Sequence, residues 1–182
     1  MEPAIALIEF NSIAAGIFCG DAMVKKALVD LLDARSICPG KYMVLVGGQV
    51  GPVEESYRAG LASARDAIVD QLFLPNAHTG IFPALASATP PGEGEALGII
   101  ETVTVATCIV AADAAAKAAD VQLLDLRLAN GLGGKSFVLI EGTISEVEAG
   151  MAAGVAYVKG EGLLVRDVII PQIHPDMKNK II

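Results

Sequence analysis

Residues 4–35 and 96–127 are two versions of one sequence. They align without a gap at an offset of 92, and 14 of the 32 pairs are identical, where a composition like this gives roughly three or four by chance. The shared residues include charged ones: Glu9 meets Glu101, Asp21-Ala22 meets Asp113-Ala114, Lys25 meets Lys117, and Leu31-Leu32-Asp33 meets Leu123-Leu124-Asp125. Past Arg127 the register shifts by two, pairing Gly40-Lys41 with Gly134-Lys135 and Val53-Glu54 with Val147-Glu148; a second shift of two pairs Pro75 and His78 with Pro171 and His174. A solenoid unit spans about 20 to 50 residues, so each longer copy here is expected to be a small domain. The reading is a first domain over 1–88, a Pro/Gly-rich linker over 89–95 and a second domain over 96–182, with no room for a third.

The chain is 53% hydrophobic with a mean hydropathy of +0.56, yet no uncharged apolar run approaches the roughly 18–20 residues that cross a bilayer. No membrane partner is expected. Domains this small expose much of their surface, so this much Ala, Val, Ile and Leu leaves apolar patches that another subunit must cover. A net charge of -8, from 13 basic and 21 acidic residues, with no basic run argues against nucleic acid. Three cysteines without a CxxC and an N-terminus with no cationic start suit a reducing, cytoplasmic location.

Each copy carries the same succession of patterns. AIALIEF (4–10) and ALGIIET (96–102) are expected to be buried strands. Ala-rich helices follow over 13–27 and 105–119, with Ile13, Ile17 and Val24, or Val105, Ile109 and Ala112, at the spacing of a core-facing stripe. Second strands are read over 28–37 and 120–129; the turns SICPGK and ANGLGGK reverse them into YMVLVGG and SFVLIEG. The next helices are signalled by Gly51 before Pro52 at the first helical position, with Glu54 and Glu55 in the first turn, and by Ser145 with Glu148 three residues on, a capping box. Val53, Tyr57, Leu61 and Ala64 face the sheet in one, Val147, Met151 and Val155 in the other. Fourth strands end at P-x-x-H. The order β-α-β-β-α-β, given twice, predicts an α/β (α+β) protein of two tandem ferredoxin-like domains.

ALGIIET, the two D-A-x-x-K stretches (Asp21 to Lys25, Asp113 to Lys117), the GG or EG followed by V-x-x-V-E, and the two P-x-x-H sites occur in order, twice. In this the chain resembles the tandem-domain, T-type shell proteins of bacterial microcompartments. The resemblance implies a homotrimer that looks like a hexamer and tiles with hexameric shell proteins around metabolic enzymes, an encapsulated redox enzyme among its partners. It places Lys25, Lys117, Asn76, His78, Gln172 and His174 at the tile edge; the bland reading of the two lysines is that they are solvated near helix ends and favoured by the dipole. Asn76 and Gln172 stand where single-domain relatives have an arginine before the histidine, beside His78 and His174. Those histidines, being equivalent, are expected to have a structural role, such as capping a helix after the proline, rather than to bind metal.

Read alone, Cys38 in SICPGK is most often an inert small side chain. Its counterpart turn has no cysteine, and the resemblance sets both turns at a central pore lined by Ser36, Ile37, Cys38, Pro39 and Gly40 with Asn130, Gly131, Leu132, Gly133 and Gly134. Three Cys38 thiolates converging there need neutralising, and the resemblance implies a 4Fe-4S cluster, one per trimer; zinc, a free thiol ring and no ligand remain the other readings. Such a cluster would carry electrons through the shell or be delivered to an enzyme inside. Cys19 and Cys108 are expected to be buried, and Glu9 and Glu101 to be scaffold carboxylates. The expectation is a non-enzymatic shell protein. Its alternative is a trimeric ferredoxin-like nucleotide-binding signalling protein, for which no phosphate-binding basic cluster is visible. A Cys38 nucleophile would need a histidine nearby, and both histidines lie at the far ends of the copies.

Overall fold

The computed structural model describes residues 3–64, 66–90 and 92–181. Met1, Glu2, Arg65, Pro91 and Ile182, which fall in the expected domain and linker ranges, lie outside the described residues. Two compact units are present. One comprises Met1–Ala77 with Thr104–Ala106 and Ala129–Gly134; the other comprises His78–Val103, Thr107–Leu128 and Lys135–Ile182.

The first unit runs β1 (Ala4–Phe10), α1 (Ile13–Lys26), β2 (Asp30–Ile37), β3 (Lys41–Gly48), α2 (Val50–Ser63) and β4 (Ile68–Leu74). Its strands form an antiparallel sheet in the order β2-β3-β1-β4, as the β-α-β-β-α-β pattern requires. Central β1 is buried along its whole length, which is why it reads as an apolar run interrupted only by Glu9. Ala4, Ala6, Ile8 and Phe10 pack with Val44, Val46, Cys19, Met23 and Val53 in the layer between the sheet and helices α1 and α2. Tyr57 and Phe73 stack with ring centroids 5.8 Å apart.

One expected core stripe is corrected. Gly16, Cys19 and Met23 are the buried residues of α1, while Ile13, Ile17 and Val24 are exposed. The reason is steric: a Cβ at Gly16 would meet the Tyr42 side chain at 2.6–2.8 Å, so a residue without a side chain lets this face of the helix, and no other, sit down on the sheet.

The second unit holds α3 (Ile81–Leu85), β5 (Ala96–Thr102), α4 (Val105–Ala118, whose first turn groups with the first unit), β6 (Gln122–Leu128), β7 (Ser136–Gly142), α5 (Ile144–Gly160), β8 (Leu164–Ile170) and α6 (Pro175–Ile181). Its sheet has the order β6-β7-β5-β8, and α3 packs on β6. The repeat extends to irregularities: the β1–β4 pairing shifts register between Glu9 and Phe10 and its counterpart between Glu101 and Thr102; β2–β3 shifts between Leu31 and Asp33 and its counterpart between Leu123 and Asp125. The second offset change coincides with a longer helix, 17 residues in α5 against 14 in α2. Here Val147, Met151 and Val155 are buried as expected.

Both expected starts of the second helices move. The capping box of α5 is Thr143 with Glu146, not Ser145 with Glu148: Thr143 Oγ1 accepts the Glu146 N–H, and Glu146 Oε2 accepts the Thr143 N–H at 2.9 Å. Helix α2 begins at Val50 after Gln49, so Pro52 lies in the first turn but not at its first position, still where its missing N–H costs nothing.

Candidate functional site

The two turns singled out in the sequence both belong to the first unit. The Cys38 N–H donates to the Ala129 carbonyl at 3.2 Å, and the Gly40 N–H closes the turn on the Ile37 carbonyl at 3.1 Å. The Cys38–Pro39 peptide is cis. Gly40 has φ +85° and Gly134 φ +94°, a left-handed region that favours glycine. A side chain at Gly134 would also meet Pro39 Cδ at 3.0 Å and the Cys38 carbonyl at 3.1 Å. The glycine turn is thus bare where the cysteine turn lies against it. Ser36, Pro39, Gly40, Asn130, Gly131 and Gly133 are exposed, Cys38 and Leu132 are partly exposed, and Ile37 and Gly134 are buried.

Behind the cysteine turn, Lys41 Nζ pairs with the fully buried Glu9 carboxylate. The other Glu9 oxygen accepts the Val105 N–H at 2.9 Å, one of the α4 first-turn donors that have no acceptor within their own helix. Negative charge there is also favoured by the helix dipole. In the second copy Lys135 pairs with Glu101, and both side chains are partly open to water. Glu9 therefore takes the scaffold role expected of it, and Glu101 forms a half-open ion pair at the equivalent point.

Cys19 and Cys108 are buried. Desolvation pushes the Cys108 thiol up to about 12 and raises that of Cys19, so neither is a ready thiolate. Among the described residues no three His, Cys, Asp or Glu side chains of one chain converge as a metal site.

Lys25 and Lys117 are exposed and pair with Asp21 at 2.6 Å and Asp113 at 2.7 Å, one helical turn back. The histidines serve their own backbone: His78 Nδ1 accepts the Gly80 N–H and His174 Nδ1 the Asp176 N–H, each at 3.2 Å. Asn76 and Gln172 are exposed beside them. A hydrogen bond that the sequence did not single out is Asp113 Oδ1 accepting the His78 N–H at 2.8 Å. Its signal was present, since Asp113 and His78 both have repeat partners.

The copies differ most in exposure. Ile17 is 55% exposed and its counterpart Ile109 not at all; Leu31 is 52% exposed and Leu123 2%. Ile13, Val24 and Leu32 are likewise open where Val105, Ala116 and Leu124 are buried.

These features define a tandem α+β repeat protein whose first copy leaves exposed several apolar positions that are buried in its second copy. The BMC domain family model matches residues 4–77 and again 96–173. The chain is 41% identical over 177 residues to the bacterial microcompartment shell protein PduT of Citrobacter freundii, covering 97% of this chain and 96% of that one. It is 34% identical over 82 residues to the shell protein PduA of the same organism, which spans 44% of this chain and 88% of the relative. A crystal structure of a microcompartment protein from Desulfitobacterium hafniense superposes with a TM-score of 0.90 at 46% identity, covering 98% of this chain and 99% of that chain. The chain belongs to the BMC-domain family, as a tandem-domain shell protein of bacterial microcompartments. No described helix is long and apolar enough to cross a membrane.

Proposed function

We propose that this chain is a structural shell tile in which three copies close into a pseudohexameric ring, bringing three Cys38 turns to one axis where they hold a single 4Fe-4S cluster. The observation that carries the ring is the pair of faces just described: the surface covered in the second copy is bare in the first. A side chain of this size gains about 1.5–3 kcal/mol on going from fully exposed to buried; Ile13, Ile17, Val24, Leu31 and Leu32, 38–55% exposed, would gain roughly half of that apiece when covered. Their repeat counterparts supply a template for the cover, and a repeated head-to-tail contact closes into a ring.

The donor set fits the cluster only as a shared site. One chain offers no convergent ligands among its described residues, its other two thiols are buried, and Cys38 is partly exposed on a turn whose Ser36, Pro39 and Gly40 are exposed. Three thiolates leave one iron of the usual four-cysteine set for water or a small ligand. When bound, such a cluster supplies one-electron chemistry across the shell. The chain's own part is positional: the Cys38 N–H is tied to Ala129, and Lys41 anchors the turn on Glu9. Lys25 and Lys117 have long stems suited to lying along the rim of a neighbouring hexameric tile.

The test compares iron, acid-labile sulfide and visible absorption in anaerobic preparations of the intact protein and Cys38→Ser. Loss of all three in the variant is expected; equal iron in both overturns the cluster. Electron microscopy should show sheets, and a strictly monomeric protein overturns the tile.

A further inference from the structure

We infer that the ring is closed by two carboxylates whose intrachain counterparts are already engaged: Glu101 of one copy accepts the Ile13 N–H of a second copy, and Asp21 of that second copy accepts the His174 N–H of the first. This rests on the proposed ring and adds the hydrogen bonds that set its register.

Two hydrogen bonds within the chain provide the pattern. In the first unit, Glu9 is held by Lys41 and takes the Val105 N–H at the start of α4. In the second, Asp113 is held by Lys117 and takes the His78 N–H. Moving each donor and acceptor to its repeat counterpart gives Glu101 with Ile13 and Asp21 with His174. Both carboxylates already have their lysines, Lys135 on Glu101 and Lys25 on Asp21, and among the described residues neither receives a backbone N–H. Ile13 opens α1, so its N–H has no acceptor inside its own helix. Ser12 caps that helix through the Ala15 N–H and leaves the Ile13 donor for another group.

The two hydrogen bonds agree in direction. In both, the second copy of one chain approaches α1 of the next, on the side where Ile13, Ile17 and Val24 are bare. Both pairs, moved by the one repeat equivalence, give a single head-to-tail register, which is what a closed ring needs. The occupant of the bare face is therefore a second copy of this chain.

Sedimentation equilibrium of the intact protein, wild type against Glu101→Ala and Asp21→Ala, tests the register. Both residues are at least partly exposed in the single chain, so circular dichroism should show each variant folded. Removing such a cap is expected to weaken ring assembly about tenfold for each carboxylate replaced, and Glu101→Gln, which keeps an acceptor oxygen, should fall between wild type and Glu101→Ala. A wild-type ring that both alanine variants form with unchanged affinity overturns the register and leaves the tile standing. A wild type with no ring removes the tile reading itself, so the two failures are told apart.

Discussion

The carboxylate of Glu9 is fully buried against Lys41 Nζ, whose side chain is only 15% exposed. The pair joins the central strand to the strand that leaves the cysteine turn, and the second Glu9 oxygen takes the Val105 N–H. Removing one partner would bury an uncompensated ammonium and orphan a helix N-terminus. Glu9→Ala is therefore expected to cost about 2–4 kcal/mol in urea unfolding. Lys135→Ala, at the half-open counterpart pair, should cost under about 1 kcal/mol. Similar losses at the two positions would contradict the burial difference.

Gly134 sets how closely the glycine turn approaches the cysteine turn. Gly134→Ala combines a left-handed backbone at φ +94° with a Cβ 3.0 Å from Pro39. Strain and displacement together should cost about 1–3 kcal/mol. Gly131→Ala, with open space around its Cβ, should show the backbone component alone. Thermal unfolding of the two variants side by side separates these contributions; equal losses would mean that the turns can part without cost.

Much of this architecture was legible because the chain repeats itself. The strands at 4–10 and 96–102 fall as the two apolar runs place them. The cysteine turn stood out because its counterpart is a glycine loop. The exposed stripe of α1 was not legible, because Ile13, Ile17 and Val24 have the same spacing whether they face a sheet or a neighbouring chain, and the choice rests on Gly16 meeting Tyr42. The α5 cap was ambiguous for a different reason: Thr143–Glu146 and Ser145–Glu148 satisfy the same spacing two residues apart. The N–H of Thr143, just past the end of β7, decides it by donating to Glu146.

Thiol chemistry separates the three cysteines. With the Cys108 thiol pushed up to about 12 by burial, its thiolate fraction at pH 8 is about one in ten thousand, and burial blocks access as well. Iodoacetamide at pH 8 should label Cys38 in the metal-free protein, leaving Cys19 and Cys108 unmodified until denaturant is added. Peptide mass spectrometry reads the sites directly. Early labelling of Cys108 would place it outside the core.

The α5 cap gives the chain an acid-sensitive helix start. Glu146 accepts the Thr143 N–H and the Thr143 hydroxyl, and these bonds hold its carboxyl below the ordinary 4.5, the backbone bond contributing most. A carboxylate depressed in the folded state stabilises the fold at pH above its unfolded value; that contribution is lost as pH falls from 4.5 through the lower folded value. Local opening at the start of α5 should therefore increase below pH 4.5, seen as falling protection factors, with exchange referred to the intrinsic amide rate at each pH, in peptides covering Thr143 to Val147. Glu146→Gln keeps an acceptor but cannot titrate, so it should abolish the part of the pH dependence that belongs to this cap and leave an exchange rate intermediate between the charged and protonated wild type. Thr143→Ala removes the hydroxyl while retaining the dominant backbone bond, and should reduce the acid effect without eliminating it. Identical pH profiles for wild type and Glu146→Gln would show that the helix start draws nothing from the charge of that carboxylate.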